Sequence, residues 1–275
     1  METAMSPFWL WVALALYSLG LLDSLLTVIT RKPTLFRIAL AAISLGFIFH
    51  FVSLTEHALR VKHFPVSNIS EATSLFAFLI TMGFLIVYWV YRISSISVFI
   101  FPIVFVMTLG SAVSRHSGKF DLPVFAARWL PVHISFALVG YVALFLTFVS
   151  GLMYLIQENE LKRKKPRAFY YRLPPLEVVD NVAYWALTIG FPFITIAIIL
   201  GTLGAASAWG PRWLEDPKVW LTFLMWFVYV ALVYSRVSAG LRGRKAAYLS
   251  IIGLVAVLAS WSANYLSAHH AFLGH

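Results

Sequence analysis

The chain has 275 residues, of which 61% are hydrophobic and 12% charged, and its mean hydropathy is +0.85. A soluble domain carries about 25% charged residues, so this composition excludes a water-soluble globular protein and a disordered chain and favours a membrane protein. The absence of Cys excludes a disulfide scaffold, a thiolate metal site and a thiol nucleophile within this chain. The net charge of +10 is typical of membrane orientation signals rather than of nucleic-acid binding.

Eight stretches of the chain are apolar enough to cross a bilayer, since a spanning helix needs about 20 such residues. We predict spans at Pro7–Ile29, Leu35–Leu59, Ile69–Tyr91, Ser97–Val113, Val132–Leu155, Val182–Ala205, Val219–Tyr234 and Ala247–Leu266. The first stretch is too long for a secretory signal and lacks its cleavage chemistry, which favours a retained helix. The sequence therefore predicts an all-α, polytopic membrane protein whose residues 1–275 form a single domain.

The basic residues are divided unevenly between the two sides of this arrangement. Of the 21 Lys and Arg residues, fourteen fall in connections on one side and seven on the other. Cytoplasmic connections carry the excess of Lys and Arg, so both termini are predicted to lie outside the cytoplasm. The longest inner connection, residues 157–176, contains a basic run that we interpret as the main topological anchor.

Two of the predicted helix starts carry capping signals. Asn68 is followed three residues later by Glu71, which is the spacing of a capping box with Asn in place of Ser or Thr. Asp216 is followed by Pro217, a typical N-cap and first-turn pair. We interpret Asn68, Glu71 and Asp216 first as residues that start helices.

All eight His residues fall in the outer half of the predicted topology. His50 and His57 lie seven residues apart on one face of the second span, and an ionisable residue inside a membrane is a candidate functional residue. His133 and His270 each lie where an outer connection meets a span, one on either side of a Trp-rich segment. Neutral His is the commonest metal ligand and an axial ligand of haem iron, so these two imidazoles are candidates for opposite faces of one flat ligand. Hydrogen-bonded structural roles remain open for the other His residues.

The external segment between the sixth and seventh spans, residues 206–220, is rich in Trp. It contains Trp209, Trp213 and Trp220, with a turn predicted at Gly210-Pro211. An isolated Trp at this depth is an ordinary membrane anchor. Three in one short segment instead favour a surface for a flat macrocycle, because indole faces are large and apolar.

These residues resemble the cytochrome c assembly and haem-handling membrane proteins of the CcsA, ResC, CcmC and HemX type. The hallmark of that family is an external segment of the form W-G-x-x-W-x-W-D-P-K, which Trp209-Gly-Pro-Arg-Trp213 and Asp216-Pro-Lys218 match here. The segments around His133, His270 and Phe47-Ile-Phe-His50 are also similar to the family, so the resemblance covers nearly the whole chain.

The resemblance implies that haem b binds at the outer face. It assigns axial ligation of the haem iron to His133 and His270 and a haem contact inside the membrane to His50. The platform beneath the haem would be formed by Trp209, Trp213 and Asp216. Trp220 is included as a further haem contact because it lies in the same Trp-rich segment. The chain departs from the family pattern at Glu215, where a Trp is expected, and at Tyr234, where a second membrane His is expected.

The leading hypothesis is that the protein presents haem to apocytochrome c at the periplasmic face of the bacterial inner membrane. It would act within a haem-attachment complex rather than as a stand-alone enzyme, with apocytochrome c and a thiol-reducing or second cytochrome c assembly membrane protein as partners. The alternative is a HemX-like membrane regulator of tetrapyrrole synthesis acting through the basic connection Lys162–Arg172. A transporter or channel is disfavoured, because Gly190-Phe-Pro192 is the only obvious helix break and no chain of membrane Asp or Glu is found.

Overall fold

A computed structural model describes residues 7–30, 33–66, 68–114, 126–162 and 173–263, without side chains for several residues that include 208 and 209. Within these residues the structure contains α-helices and one short 3-10 helix, Gly210–Glu215. The α-helices are α1 Pro7–Thr30, α2 Pro33–Val61, α3 Ile69–Tyr91, α4 Ser97–Val113, α5 Ala126–Lys162, α6 Leu176–Trp209, α7 Pro217–Val237 and α8 Arg244–Ser262.

Seven of these described helices are long and apolar enough to cross a membrane. The exception, α4, has 17 residues, which at 1.5 Å per residue make about 25 Å of helix. Each described α-helix overlaps one predicted span, so the all-α, polytopic membrane fold is confirmed. The sidedness of the termini stays a prediction, because both termini lie outside the described residues.

The fifth and sixth helices are longer than the hydropathy pattern predicted. α5 begins at Ala126 rather than near Val132, so His133 lies almost two turns inside the helix and not at its first residue. α6 begins at Leu176 and continues through Gly190-Phe-Pro192, where the sequence had suggested a break. A Cβ atom at residue 190 would lie 2.7 Å from the Cβ of Ala143, so this glycine permits close packing of α5 on α6 rather than interrupting the helix.

The described helices group into two compact units, with α1–α4 in the first and α5–α8 in the second. In the first unit, α1 packs against α2 and α4, and α3 packs against α2 and α4. Its fully buried side chains include Tyr17, Ile43, Phe84 and Phe101. The expectation of one functional domain over residues 1–275 stays a prediction.

The second unit is organised around the long pair α5 and α6. α8 packs on α5, and α7 packs on both α6 and α8. The buried centre of this unit consists of Leu144, Leu187, Ile194, Met225, Tyr229 and Leu232. This packing holds the N-terminal half of α5 against the last turns of α6, where the candidate site lies.

Both predicted caps are present. The Asn68 side chain accepts a hydrogen bond from the backbone N–H of Glu71 at 2.8 Å, and Asp216 Oδ1 accepts one from the backbone N–H of Lys218 at 2.8 Å. Each cap satisfies a backbone donor that the first turn of its helix leaves unpaired. The beginnings of α3 and α7 are therefore fixed by local sequence.

Candidate functional site

His133 is held in one orientation by a hydrogen bond from α5 to α6. Its Nδ1 lies 2.7 Å from the backbone carbonyl oxygen of Ala197. A carbonyl oxygen only accepts hydrogen bonds, so Nδ1 carries the hydrogen, and in the neutral ring the lone pair lies on Nε2. A backbone carbonyl that fixes the tautomer in this way is a common arrangement behind a metal-binding His. The half-buried His133 therefore has Nε2 as its candidate metal-binding atom.

Two glycines of α6 make room for the aromatic side chains of α5. A Cβ atom at Gly201 would lie 2.7 Å from Cε1 of His133, and a Cβ atom at Gly204 would overlap the indole of Trp129. The rings of Trp129 and His133 meet edge to face, with centroids 5.9 Å apart and an interplanar angle of 63°. The small residues of α6 thus seat the two rings one turn apart.

The Trp-rich segment connects α6 to α7 through the short 3-10 helix Gly210–Glu215. Trp209 is the last residue of α6, and its side chain lies outside the described part of the structure. Trp213 is half-buried. Trp220 is 62% exposed, and its Nε1 donates a hydrogen bond of 2.7 Å to the carbonyl oxygen of Leu214. This bond ties the 3-10 helix to the first turn of α7 and fixes the shape of the segment.

The same helix start brings a cation towards His133. Asp216 is buried, and the Lys218 ammonium lies within electrostatic range of both the Asp216 carboxylate and the His133 ring. Asp216 therefore acts as the predicted helix cap and as a neighbouring charge for Lys218. Asp216 and Lys218 thus place a pair of opposite charges at the start of α7.

His50 lies in the first unit and is fully buried. Its Nδ1 is 3.3 Å from the Tyr17 hydroxyl, and its Nε2 is 2.9 Å from the Ser74 hydroxyl. The ring also packs edge-on against Phe78, with centroids 5.7 Å apart. Both ring nitrogens are engaged, so His50 binds iron only if one of these hydrogen bonds opens.

Residues 5–269 match the family model described as Cytochrome C assembly protein. The chain belongs to this family. The resemblance predicted from the Trp-rich segment and its flanking His residues is thereby confirmed. The ligand roles of individual residues stay predictions, and His270 lies outside the described residues.

Relatives within the cytochrome c assembly family cover most of the chain. Cytochrome c biogenesis protein CcsA of Microcystis aeruginosa is 27% identical over 248 residues, which cover 72% of this chain and 75% of that one. CcsA of Guillardia theta is 27% identical over 274 residues, which cover 90% of this chain and 87% of that one. The regulator alternative is not favoured, because these relatives are named for cytochrome c biogenesis.

A solved structure of cytochrome c haem lyase CcmF has the same fold. It matches with a TM-score of 0.68 at 18% identity, over 100% of this chain and 47% of CcmF. The chain thus spans about half the length of CcmF. At this identity the likeness shows the fold alone.

The structure adds contacts that the sequence did not predict. His57 and Glu71, both buried, form a hydrogen bond of 2.9 Å between Nε2 and Oε1, whereas the sequence indicated only the capping role of Glu71. The carbonyl of Ala197 carries no side-chain signal. Gly201 and Gly204 lie three residues apart on one face of α6, and small residues are typical of close contacts between membrane helices. Tyr234, at the position of the second membrane His, is 66% exposed and lies away from the buried centre of its unit.

Proposed function

We propose that this cytochrome c assembly protein binds haem b at the periplasmic face of the bacterial cytoplasmic membrane and presents it for attachment to apocytochrome c. The observation that carries the proposal is the 2.7 Å hydrogen bond from His133 Nδ1 to the Ala197 carbonyl oxygen. This bond leaves the Nε2 lone pair available to bind iron, and it fixes the plane of the imidazole ring. An axial haem ligand requires both features.

The residues around His133 fit haem chemically. The half-buried Trp213 and the exposed Trp220 offer apolar indole surface in the same unit, which suits a porphyrin face. Lys218, which follows the buried Asp216 in the first turn of α7, is the candidate positive charge for the porphyrin carboxylates. In this proposal Trp209 extends the apolar surface and His270 supplies the second axial nitrogen.

The chemistry of attachment requires positioning more than acid or base catalysis. A Cys thiol of apocytochrome c adds across a haem vinyl group, so one S–C bond forms, the thiol hydrogen goes to the neighbouring vinyl carbon, and no oxidant or reductant is consumed. The chain has no Cys, so the reacting thiols belong to apocytochrome c, and a partner assembly protein keeps them reduced. The contribution of this chain is to hold the haem in one orientation while the thiols approach.

The proposal is tested by the visible spectrum of the purified protein. We expect the wild type to bind haem with a low-spin, bis-His spectrum, and His133→Ala to lose or shift the Soret band. His133→Gly with added imidazole should recover it. His63→Ala is the matched control, because His63 Nδ1 also lies near a carbonyl oxygen, that of Phe64 at 3.0 Å, but in the connection after α2.

An unchanged spectrum in His133→Ala would overturn the assignment of the site. The proposed function would be overturned if the wild type does not bind haem and instead co-purifies with an early enzyme of tetrapyrrole synthesis. The control must keep the wild-type spectrum for either result to count.

A further inference from the structure

The indole N–H of Trp129 is a buried hydrogen-bond donor that is not used. Its Nε1 is shielded from solvent and has no partner within the residues that the structure describes. Two other indoles of the same unit are paired, since Trp220 Nε1 donates to the Leu214 carbonyl and Trp226 Nε1 donates to the Thr195 hydroxyl at 3.0 Å. An unpaired buried donor weakens the folded state, so this one is expected to have an acceptor beyond the residues that the structure describes.

Trp129 lies beside the candidate iron ligand. It is one helical turn before His133 on α5, and the two rings are 5.9 Å apart in an edge-to-face arrangement. The absence of a side chain at Gly204 seats the indole against α6, so the N–H is held in place rather than swinging freely. A ligand centred on His133 would therefore have this donor at its edge.

The chemistry of this donor favours an anionic acceptor. An indole N–H can only donate, so the partner of Trp129 is an acceptor. A hydrogen bond to an ionised acceptor is about twice as strong as one to a neutral acceptor, which favours a carboxylate. Haem, the ligand proposed above, carries two carboxylates on its propionate arms.

We propose that Trp129 donates its indole N–H to a propionate carboxylate of haem bound at His133. This inference rests on the proposed function. It makes Trp129 a haem-binding residue that orients the macrocycle about the iron–His133 axis, and so determines which edge, with its vinyl groups, faces the apocytochrome.

The test compares haem with haem dimethyl ester, in which both carboxylates are blocked. Purified apoprotein in detergent is titrated with each compound, using the wild type, Trp129→Phe and the control Trp226→Phe, whose N–H bonds to Thr195 within the protein. A hydrogen bond to a charged group predicts that Trp129→Phe weakens haem binding about tenfold or more, while binding of the ester changes little. Trp226→Phe should weaken the binding of both compounds equally or of neither.

Equal weakening of haem and ester in Trp129→Phe would overturn the proposal, because the indole would then serve only as packing. If Trp129→Phe does not fold, as judged by circular dichroism, the wild type still decides the question: equal affinity for haem and ester contradicts a carboxylate contact. The proposed function fails separately, by the absence of haem binding in the wild type or by an unchanged spectrum in His133→Ala.

Discussion

Arg236 on α7 and Asp180 on α6 form a bidentate contact across 56 residues of sequence. The Nη1 of Arg236 donates to Asp180 Oδ1 at 2.7 Å, and its Nη2 donates to the Asp180 backbone carbonyl at 2.8 Å. The same carboxylate oxygen accepts the backbone N–H of Gly243 at 3.2 Å, and Gly243 has a φ of 71°, which favours glycine. This contact joins the beginning of α6 to the last turn of α7 and the start of α8.

Removal of the guanidinium should destabilise the second unit. Arg236→Met leaves the Asp180 carboxylate without its main partner, and breaking such a pair costs about 3 kcal/mol when it is buried. Asp180→Asn should cost less, because its amide oxygen still accepts from Arg236. We expect the thermal unfolding midpoint in detergent to fall most for Arg236→Met. Tyr234→Phe, at an exposed neighbour, is the control and should leave both the midpoint and the haem spectrum unchanged.

Gly201→Ala should weaken haem binding without disrupting α6. The new Cβ would lie 2.7 Å from Cε1 of His133, so the ring must move and lose its bond to Ala197. Loss of one hydrogen bond, about 1 kcal/mol, predicts about fivefold weaker haem binding in a spectral titration.

The control for this change is Gly110→Ala on α4, where an added Cβ meets no atom within 4 Å. It should stabilise the helix by up to about 1 kcal/mol and leave haem binding unchanged. Wild-type haem affinity in Gly201→Ala would show that the position of the His133 ring does not matter.

Asp216→Ala should lower stability by about 1 kcal/mol, because the first turn of α7 loses its cap. Asp216→Asn keeps an acceptor for the Lys218 backbone N–H and should unfold at nearly the wild-type temperature. Haem titrations on both variants distinguish the effect of losing the helix cap from the effect of losing the negative charge of Asp216. We expect weaker binding only for Ala, and equal loss in Asn would instead assign the effect to the negative charge beside Lys218.

Glu71→Ala should be among the most destabilising changes in the first unit. Its side chain accepts hydrogen bonds from both His57 Nε2 and Asn68 Nδ2, and leaving a buried donor without its acceptor costs about 1–3 kcal/mol. Glu56→Gln is the matched control, because Glu56 pairs with Arg60 where both side chains are about 40% exposed, at 38% and 42%. An exposed pair contributes about 0–1 kcal/mol. An equal fall in the thermal unfolding midpoint of the two variants would therefore contradict the role of the buried pair.

The sequence could predict features that depend on a few neighbouring residues. The caps at Asn68 and Asp216 were predicted because a cap joins residues two or three positions apart. The spans were predicted because a bilayer needs about 20 apolar residues in a row. The family was recognised because Trp209, Trp213 and Asp216 lie in one short segment.

Sequence could not predict the partners that lie on other helices. His133 bonds to a backbone carbonyl 64 residues away, and His57 bonds to Glu71 across two helices. The sequence also placed His133 at the start of α5 rather than inside it. The apolar stretch ends where the hydrocarbon core ends, but the backbone hydrogen bonds of the helix continue beyond that point.

The amino-acid order alone determined that this chain crosses a membrane on a set of helices, where two of those helices begin, and which family its Trp-rich segment belongs to. Only the tertiary structure decided that His133 points Nδ1 at Ala197, that Gly201 and Gly204 seat its ring and that of Trp129, and that both nitrogens of His50 are engaged. The reason is physical. In a soluble helix the apolar face marks the core, but in a membrane the lipid-facing side is equally apolar, so the sequence carries little contrast to show which helix faces meet.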